Sequence, residues 1–154
     1  ILDREGKVTA EKEMQPVSGV SSLGDNRISV YAEVLVKDPY DGEFDYIDYS
    51  EGLFDLSLNE IIPLGRYLNV YRAYNYATGI EEKFDYICAG RYTGNNTRWD
   101  IFTMDGKLII ENLNEISQIG PKYLAVVKGF SAGLIDYEGN WLVKRSIFDT
   151  LVDD

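Results

Sequence analysis

Histidine is absent from the 154 residues, and cysteine occurs once, as Cys88. The first absence removes the commonest general base, the Ser-His and Cys-His nucleophile pairs, and His-ligated zinc or iron. The second excludes an internal disulfide, and Cys88, between Ile87 and Ala89, reads as a small buried hydrophobe. Basic residues are also few. Only 15 Lys and Arg stand against 26 Asp and Glu, for a net charge of −11, and the longest basic group is Lys144-Arg145. Phosphate backbones are gripped by clustered Lys and Arg, so neither nucleic acid nor an anionic membrane surface is expected as a partner. No apolar run approaches the roughly 18 residues of a membrane helix, so no membrane span is predicted. No phosphate-binding glycine loop is present: Gly129, Gly133 and Gly139 read as turn punctuation. No cofactor and no metal are expected.

No basic segment followed by an apolar stretch opens the chain, so cytoplasmic and secreted or cell-surface locations both stay open. The chain begins at Ile1, already inside a phrase it repeats later. That reads as a fragment of a longer protein.

What is present is globular composition: 45% hydrophobic and 13% aromatic residues, in a length sufficient for one domain with a core. The excess of acid serves solubility. The apolar pattern is that of strands. In "RISVYAEVLV" (27–36), Ile28, Val30, Ala32, Val34 and Val36 alternate with Ser29, Tyr31, Glu33 and Leu35. Turn signals recur at Asp41-Gly42, Thr78-Gly79, Gly94-Asn95, Asp105-Gly106 and Glu138-Gly139. Helical periodicity is scarce. Pro16 stops any helix begun at Glu11, and Leu113, Ile116 and Ile119, three apart, are compatible with one short helical turn over 112–120.

One phrase is written four times. Ile1-Leu2-Asp3 precedes Gly6-Lys7, Leu53-Phe54-Asp55 precedes Leu58-Asn59, Ile101-Phe102-Thr103 precedes Gly106-Lys107, and Leu134-Ile135-Asp136 precedes Gly139-Asn140. Each reads as strand, turn, strand. Glycine suits a tight primed turn with positive φ, so Leu58 predicts a different turn in the second copy. "FDYI" recurs at 44–47 and 84–87, with Tyr46 and Tyr86 at matching places, and Arg27 and Arg66 open similar strands 39 residues apart. Four strands follow one another between 65 and 112, joined by short Gly- and Asn-rich connectors that favour antiparallel neighbours. The expected fold is therefore all-β: one domain over 1–154, built of antiparallel β-meander repeats. It is either β-propeller-like or an open stacked array, with units near 1–26 (partial), 27–64, 65–119 and 120–154. A single meander cannot bury its apolar face alone, so repeats must pack on one another. The expected core comprises Ile28, Val30, Val34, Leu53, Ile61, Leu68, Val70, Ile87, Ile101, Leu108, Ile110, Leu124, Val126, Ile135 and Val143, with Trp99 and Trp141.

The phrases resemble the WG (KWG) repeat proteins, a mostly bacterial family. The match is carried best by Ala132-Gly133-Leu134-Ile135-Asp136-Tyr137-Glu138-Gly139-Asn140 followed by Phe148-Asp149. The signature Trp-Gly pair is missing, since other residues follow Trp99 and Trp141. The resemblance implies all-β repeats and a binding role, and it carries over no catalytic residue.

Three functions are compatible with these features. The first is a non-catalytic protein-interaction or scaffolding module. Its partner is another protein or the rest of its own chain, with homo-association through exposed edge strands as a further route. Tyr40, Tyr74, Tyr76 and Tyr92, placed in or beside connectors, are the candidate binding residues. The second is a carbohydrate-binding module, assisted by calcium if Asp38, Asp41, Glu43 and Asp45 hold the ion. That loop lacks EF-hand spacing. The third is a histidine-free glycosidase built on two carboxylates. Asp55 and Asp136 share one repeat position, however, which points to turn hydrogen bonds instead.

Overall fold

The computed structural model describes residues 1–14, 16–37, 45–75, 82–94 and 96–147. These contain twelve strands and no helix: β1 (Val17–Gly24), β2 (Arg27–Lys37), β3 (Asp45–Asp55), β4 (Glu60–Tyr67), β5 (Asn69–Asn75), β6 (Glu82–Tyr92), β7 (Thr97–Thr103), β8 (Leu108–Leu113), β9 (Glu115–Ile119), β10 (Tyr123–Lys128), β11 (Ser131–Asp136) and β12 (Trp141–Ser146). They form three four-stranded sheets in the orders β1-β2-β3-β4, β5-β6-β7-β8 and β12-β11-β10-β9. Chain order equals sheet order in each, so the protein is an all-β series of antiparallel meanders, and no sheet closes into a barrel. Two compact units are present, Ile1–Tyr71 with the first sheet, and Arg72–Asp154 with the third and most of the second.

The fourfold phrase is one hairpin used four times. Leu2 faces Val8, Phe54 faces Glu60, Phe102 faces Leu108, and Ile135 faces Trp141. In each the fourth turn residue donates its N–H back to the first: Gly6 to Asp3, Leu58 to Asp55, Gly106 to Thr103 and Gly139 to Asp136, at 3.0–3.1 Å. The fourth residue has φ of 81°, 63°, 84° and 88° in turn. This is the three-residue loop in which a left-handed residue ends the turn, rather than the two-residue primed turn. Leu58 does not escape it. It adopts the same left-handed conformation as the glycines, at a conformational cost of about 1–2 kcal/mol for an L-residue.

The loop also explains which apolar residues reach the core. The register slips between Leu53 and Phe54, between Ile101 and Phe102, and between Leu134 and Ile135. A bulge therefore shifts the alternation of β4, and Ile62 is buried while Ile61 is only half-buried. Val30, Leu53, Val70, Ile87, Ile101, Ile110, Leu124, Val126 and Ile135 are buried as expected. Ile28, Val34 and Leu68 are half-buried, Tyr67 taking the buried place beside Leu68. Leu108 and Val143 are exposed, at 41% and 45%. Both tryptophans are half-buried.

A second bulge accounts for the spacing that suggested a helical turn. Residues 115–119 are strand β9, in which Ile119 faces Leu124 and Ile116 faces Val126, with a register shift between Ala125 and Val126. One extra residue in β9 puts two isoleucines three apart on one face, so a three-residue period arises without a helix. The two "FDYI" copies are also not equivalent: Tyr46 lies on the third strand of its sheet and Tyr86 on the second of its own.

Candidate functional site

Among the four tyrosines assigned to binding, Tyr40 and Tyr76 lie outside the described residues. Tyr74 is half-buried on β5, and Tyr92 ends β6 with 53% of its surface exposed. The acidic segment proposed for calcium also lies outside the described residues, apart from Asp45 at the start of β3. Among the described residues no group of three or more Asp, Glu or Cys could hold a metal ion.

Asp55 and Asp136, which share a repeat position, serve the hairpins. Asp136 Oδ1 accepts the backbone N–H groups of Glu138 and Asn140 at 3.0 and 2.8 Å, and its Oδ2 accepts the Asn140 side chain at 3.2 Å. Asp55 does the same with Ser57 and Asn59 at 2.8 and 2.9 Å, and with the Asn59 side chain at 2.8 Å. These bonds favour the ionised form and hold both carboxyls below their ordinary range, led by Asn59 at Asp55 and by the Asn140 N–H at Asp136. Asp3 repeats the pattern with Glu5 and Lys7, and Thr103 substitutes its hydroxyl toward the Lys107 N–H.

Asp100 differs, being 1% exposed. Its Oδ2 accepts from Arg91 Nε at 3.2 Å and its Oδ1 accepts the Asn112 N–H at 2.8 Å, while Arg91 Nη2 donates to Asn112 Oδ1 at 3.2 Å. Asn112 has φ of 62°, so the carboxylate satisfies a backbone donor that the strand cannot. Ser50 does the equivalent work in the first sheet, accepting the Gly65 N–H at 2.6 Å and donating to Tyr67 O at 2.9 Å. A buried carboxylate held on both oxygens serves here as a structural plug.

Two aromatic arrangements were not legible beforehand. Tyr86 of β6 and Tyr137 in the β11–β12 loop stack with ring centroids 3.6 Å apart and planes within 2°. The Tyr137 hydroxyl donates to Gly120 O at 2.8 Å. Burial pushes the Tyr137 hydroxyl well above its ordinary range, helped by Cys88 and Tyr86, and it raises Tyr86 more modestly. The other arrangement is cross-strand. A Cβ on Gly90 would lie 2.7 Å from the Trp99 ring, and one on Gly19 would lie 2.2 Å from the Tyr31 ring. Each glycine faces its aromatic residue across the ladder, so the missing side chain makes the space the ring fills.

An exposed apolar and aromatic patch lies among the described residues of the first sheet. Glu33 faces Tyr49 across β2 and β3, and Leu35 faces Ile47 one pleat on. Leu35 is 73% exposed and Tyr49 56%. Beside them opens a cleft of about 400 Å³ lined by Pro16, Ser18, Glu33, Val34 and Leu35. Periodicity placed Leu35 on the face opposite Val30 and Val34, but the Tyr49 pairing needed the strand register. Comparison with family models, curated proteins and solved structures gives no match.

Proposed function

We propose that the chain is a non-catalytic β-repeat module of the WG type, serving protein–protein interaction or scaffolding within a larger bacterial protein. The observation that carries this reading is the Leu35–Tyr49–Glu33 patch and its adjoining cleft. Large apolar and aromatic side chains held in solvent on a rigid sheet are the usual anchors of an interface. Asp55, Asp136 and Asp100, by contrast, are engaged in turns and bulges. Tyr92 extends the set of exposed aromatics. No histidine is available as a base.

The test places a photo-crosslinking residue at position 35 or 49, with position 111 on β8 as the exposed control. A partner crosslinked from 35 and 49 but not from 111, and lost in Leu35→Ser, supports the reading. Equal crosslinking from all three positions, or capture unchanged in Leu35→Ser, refutes it. Retention on a glycan surface that Tyr49→Ala abolishes would favour the carbohydrate reading instead.

A further inference from the structure

β2 is longer than the strand beside it. Its ladder with β3 is regular from Arg27–Asp55 to Lys37–Asp45, but its ladder with β1 ends where Val17 faces Ala32. Five residues, Glu33–Lys37, therefore run on past β1, and among the described residues no strand pairs with their outer side. Pro16, immediately before β1, has no N–H to carry the ladder on to the Glu33 carbonyl. Upstream of it the chain reaches the other end of the sheet, where Lys12 Nζ lies over the Phe54 ring and donates to Leu58 O.

The register fixes which backbone groups point into this gap. Asp55 donates its N–H to Asn59 O and accepts from the Leu58 N–H, so its groups face the β4 side. Backbone direction alternates along a strand, so the groups of Phe54 face β2, and those of its partner Ile28 face β3. By the same alternation Val34 and Val36 bond toward β3, while Glu33, Leu35 and Lys37 direct N–H and C=O outward. The gap is about 17 Å long. It lies along the cleft lined by Pro16, Ser18, Glu33, Val34 and Leu35.

The side chains around it are apolar and acidic. Glu33 is exposed on the face that carries Leu35, and Asp48, half-buried, pairs with Val34 on the opposite face. Glu33 accepts the Tyr49 hydroxyl at 3.5 Å and Asp48 Oδ1 the Tyr49 N–H at 2.7 Å, and among the described residues neither has an ion-pair partner. A strand laid in the gap is held by its backbone, and its alternate side chains enter the cleft beside Val34 or lie next to Glu33, where Lys or Arg is favoured. These 154 residues offer no free segment of that kind. Their longest basic group, Lys144-Arg145, is built into β12, and a net charge of −11 opposes a second copy.

We infer that β2 accepts an extended segment of another protein as an added strand along Glu33–Lys37, with an apolar side chain in the cleft and Lys or Arg beside Glu33. This mode rests on the Leu35–Tyr49–Glu33 patch being a protein interface, and it adds how the partner is held and what it carries.

The probe is a short synthetic peptide alternating Val and Arg, added to the full chain while amide exchange is followed by NMR. Exchange at the Leu35 and Lys37 N–H groups slows by about tenfold or more, while Val34 and Val36, already bonded to β3, change little. Affinity falls about tenfold in Glu33→Lys, a substitution at an exposed position. Methylating the peptide's backbone nitrogens abolishes binding, and a Val-Glu peptide does not bind. No binding of the Val-Arg peptide, equal binding after methylation, or exchange unchanged at Leu35 and Lys37 overturns the strand addition. A partner still crosslinked from positions 35 and 49 would in that case leave the interface itself standing. Protection of the same two N–H groups in concentrated protein without peptide assigns the gap to a second copy and also overturns it.

Discussion

Arg91→Ala is expected to destabilise the unit Arg72–Asp154 by about 2–3 kcal/mol. Removing one partner of a buried ion pair costs about 3–5 kcal/mol, because the other charge is left unpaired in a poor solvent. Here the Asp100 side chain is 1% exposed but the Arg91 side chain is 27% exposed, so water admitted by the truncation recovers part of that cost. Asp100→Asn is the informative companion. It keeps an Oδ1 acceptor for the Asn112 N–H, now 2.8 Å away, and removes only the charge. Alone it should cost about 1–2 kcal/mol, and in the Arg91→Ala background far less, since no charge remains to be stranded. The double-mutant cycle should therefore show a coupling of at least about 1 kcal/mol. Urea unfolding followed by tryptophan emission reads it cleanly, because both tryptophans, Trp99 and Trp141, lie in this unit. A coupling below about 0.5 kcal/mol, within the usual scatter of independent sites, would show that the pair is solvated and that the plug at Asn112 does not depend on charge.

Four further outcomes follow from the turns and rings. Leu58→Gly should leave stability within about 0.5 kcal/mol of wild type, since relief of the left-handed strain offsets the extra freedom of glycine in the unfolded chain. Gly139→Ala, at φ of 88°, should cost about 1 kcal/mol. A large loss in Leu58→Gly would mean that the leucine side chain, not the turn, holds that hairpin. Gly90→Ala should cost about 1–3 kcal/mol and shift Trp99 emission, because the new methyl meets the ring at 2.7 Å; an unchanged spectrum refutes the close packing. Tyr137 supplies a pH dependence. Its folded hydroxyl resists ionisation while the unfolded one ionises near its ordinary value of about 10, so stability is fully present below that pH and falls as pH rises past it. Tyr137→Phe should lose about 1 kcal/mol at neutral pH, with the Gly120 carbonyl unpaired, and show a shallower alkaline decline in thermal melts. An equally steep decline would place the titration elsewhere.

The legible part of this molecule was what repeats locally, and the illegible part was what a bulge or a register decides. Asp55 and Asp136 announce their turns because they share one repeat position, and a residue repeated in each unit serves the unit. At Leu58 position outranks residue preference: three copies of the hairpin carry glycine, and the fourth offsets its left-handed backbone with the same surrounding bonds. Ile116 and Ile119 read as helical for a related reason, since an inserted residue turns a period of two into a spacing of three. The "FDYI" copies show the opposite hazard, identical words on non-equivalent strands. The patch at Leu35 and Tyr49 was invisible as a unit because its members lie 14 residues apart and meet only through the β2–β3 register. Exposure carries the same lesson. Val143 shares its hairpin position with Ile110, yet Ile110 is 3% exposed and Val143 45%. A position can thus be correct for the repeat and wrong for the molecule, because repeat position fixes the facing residue and not what packs on it.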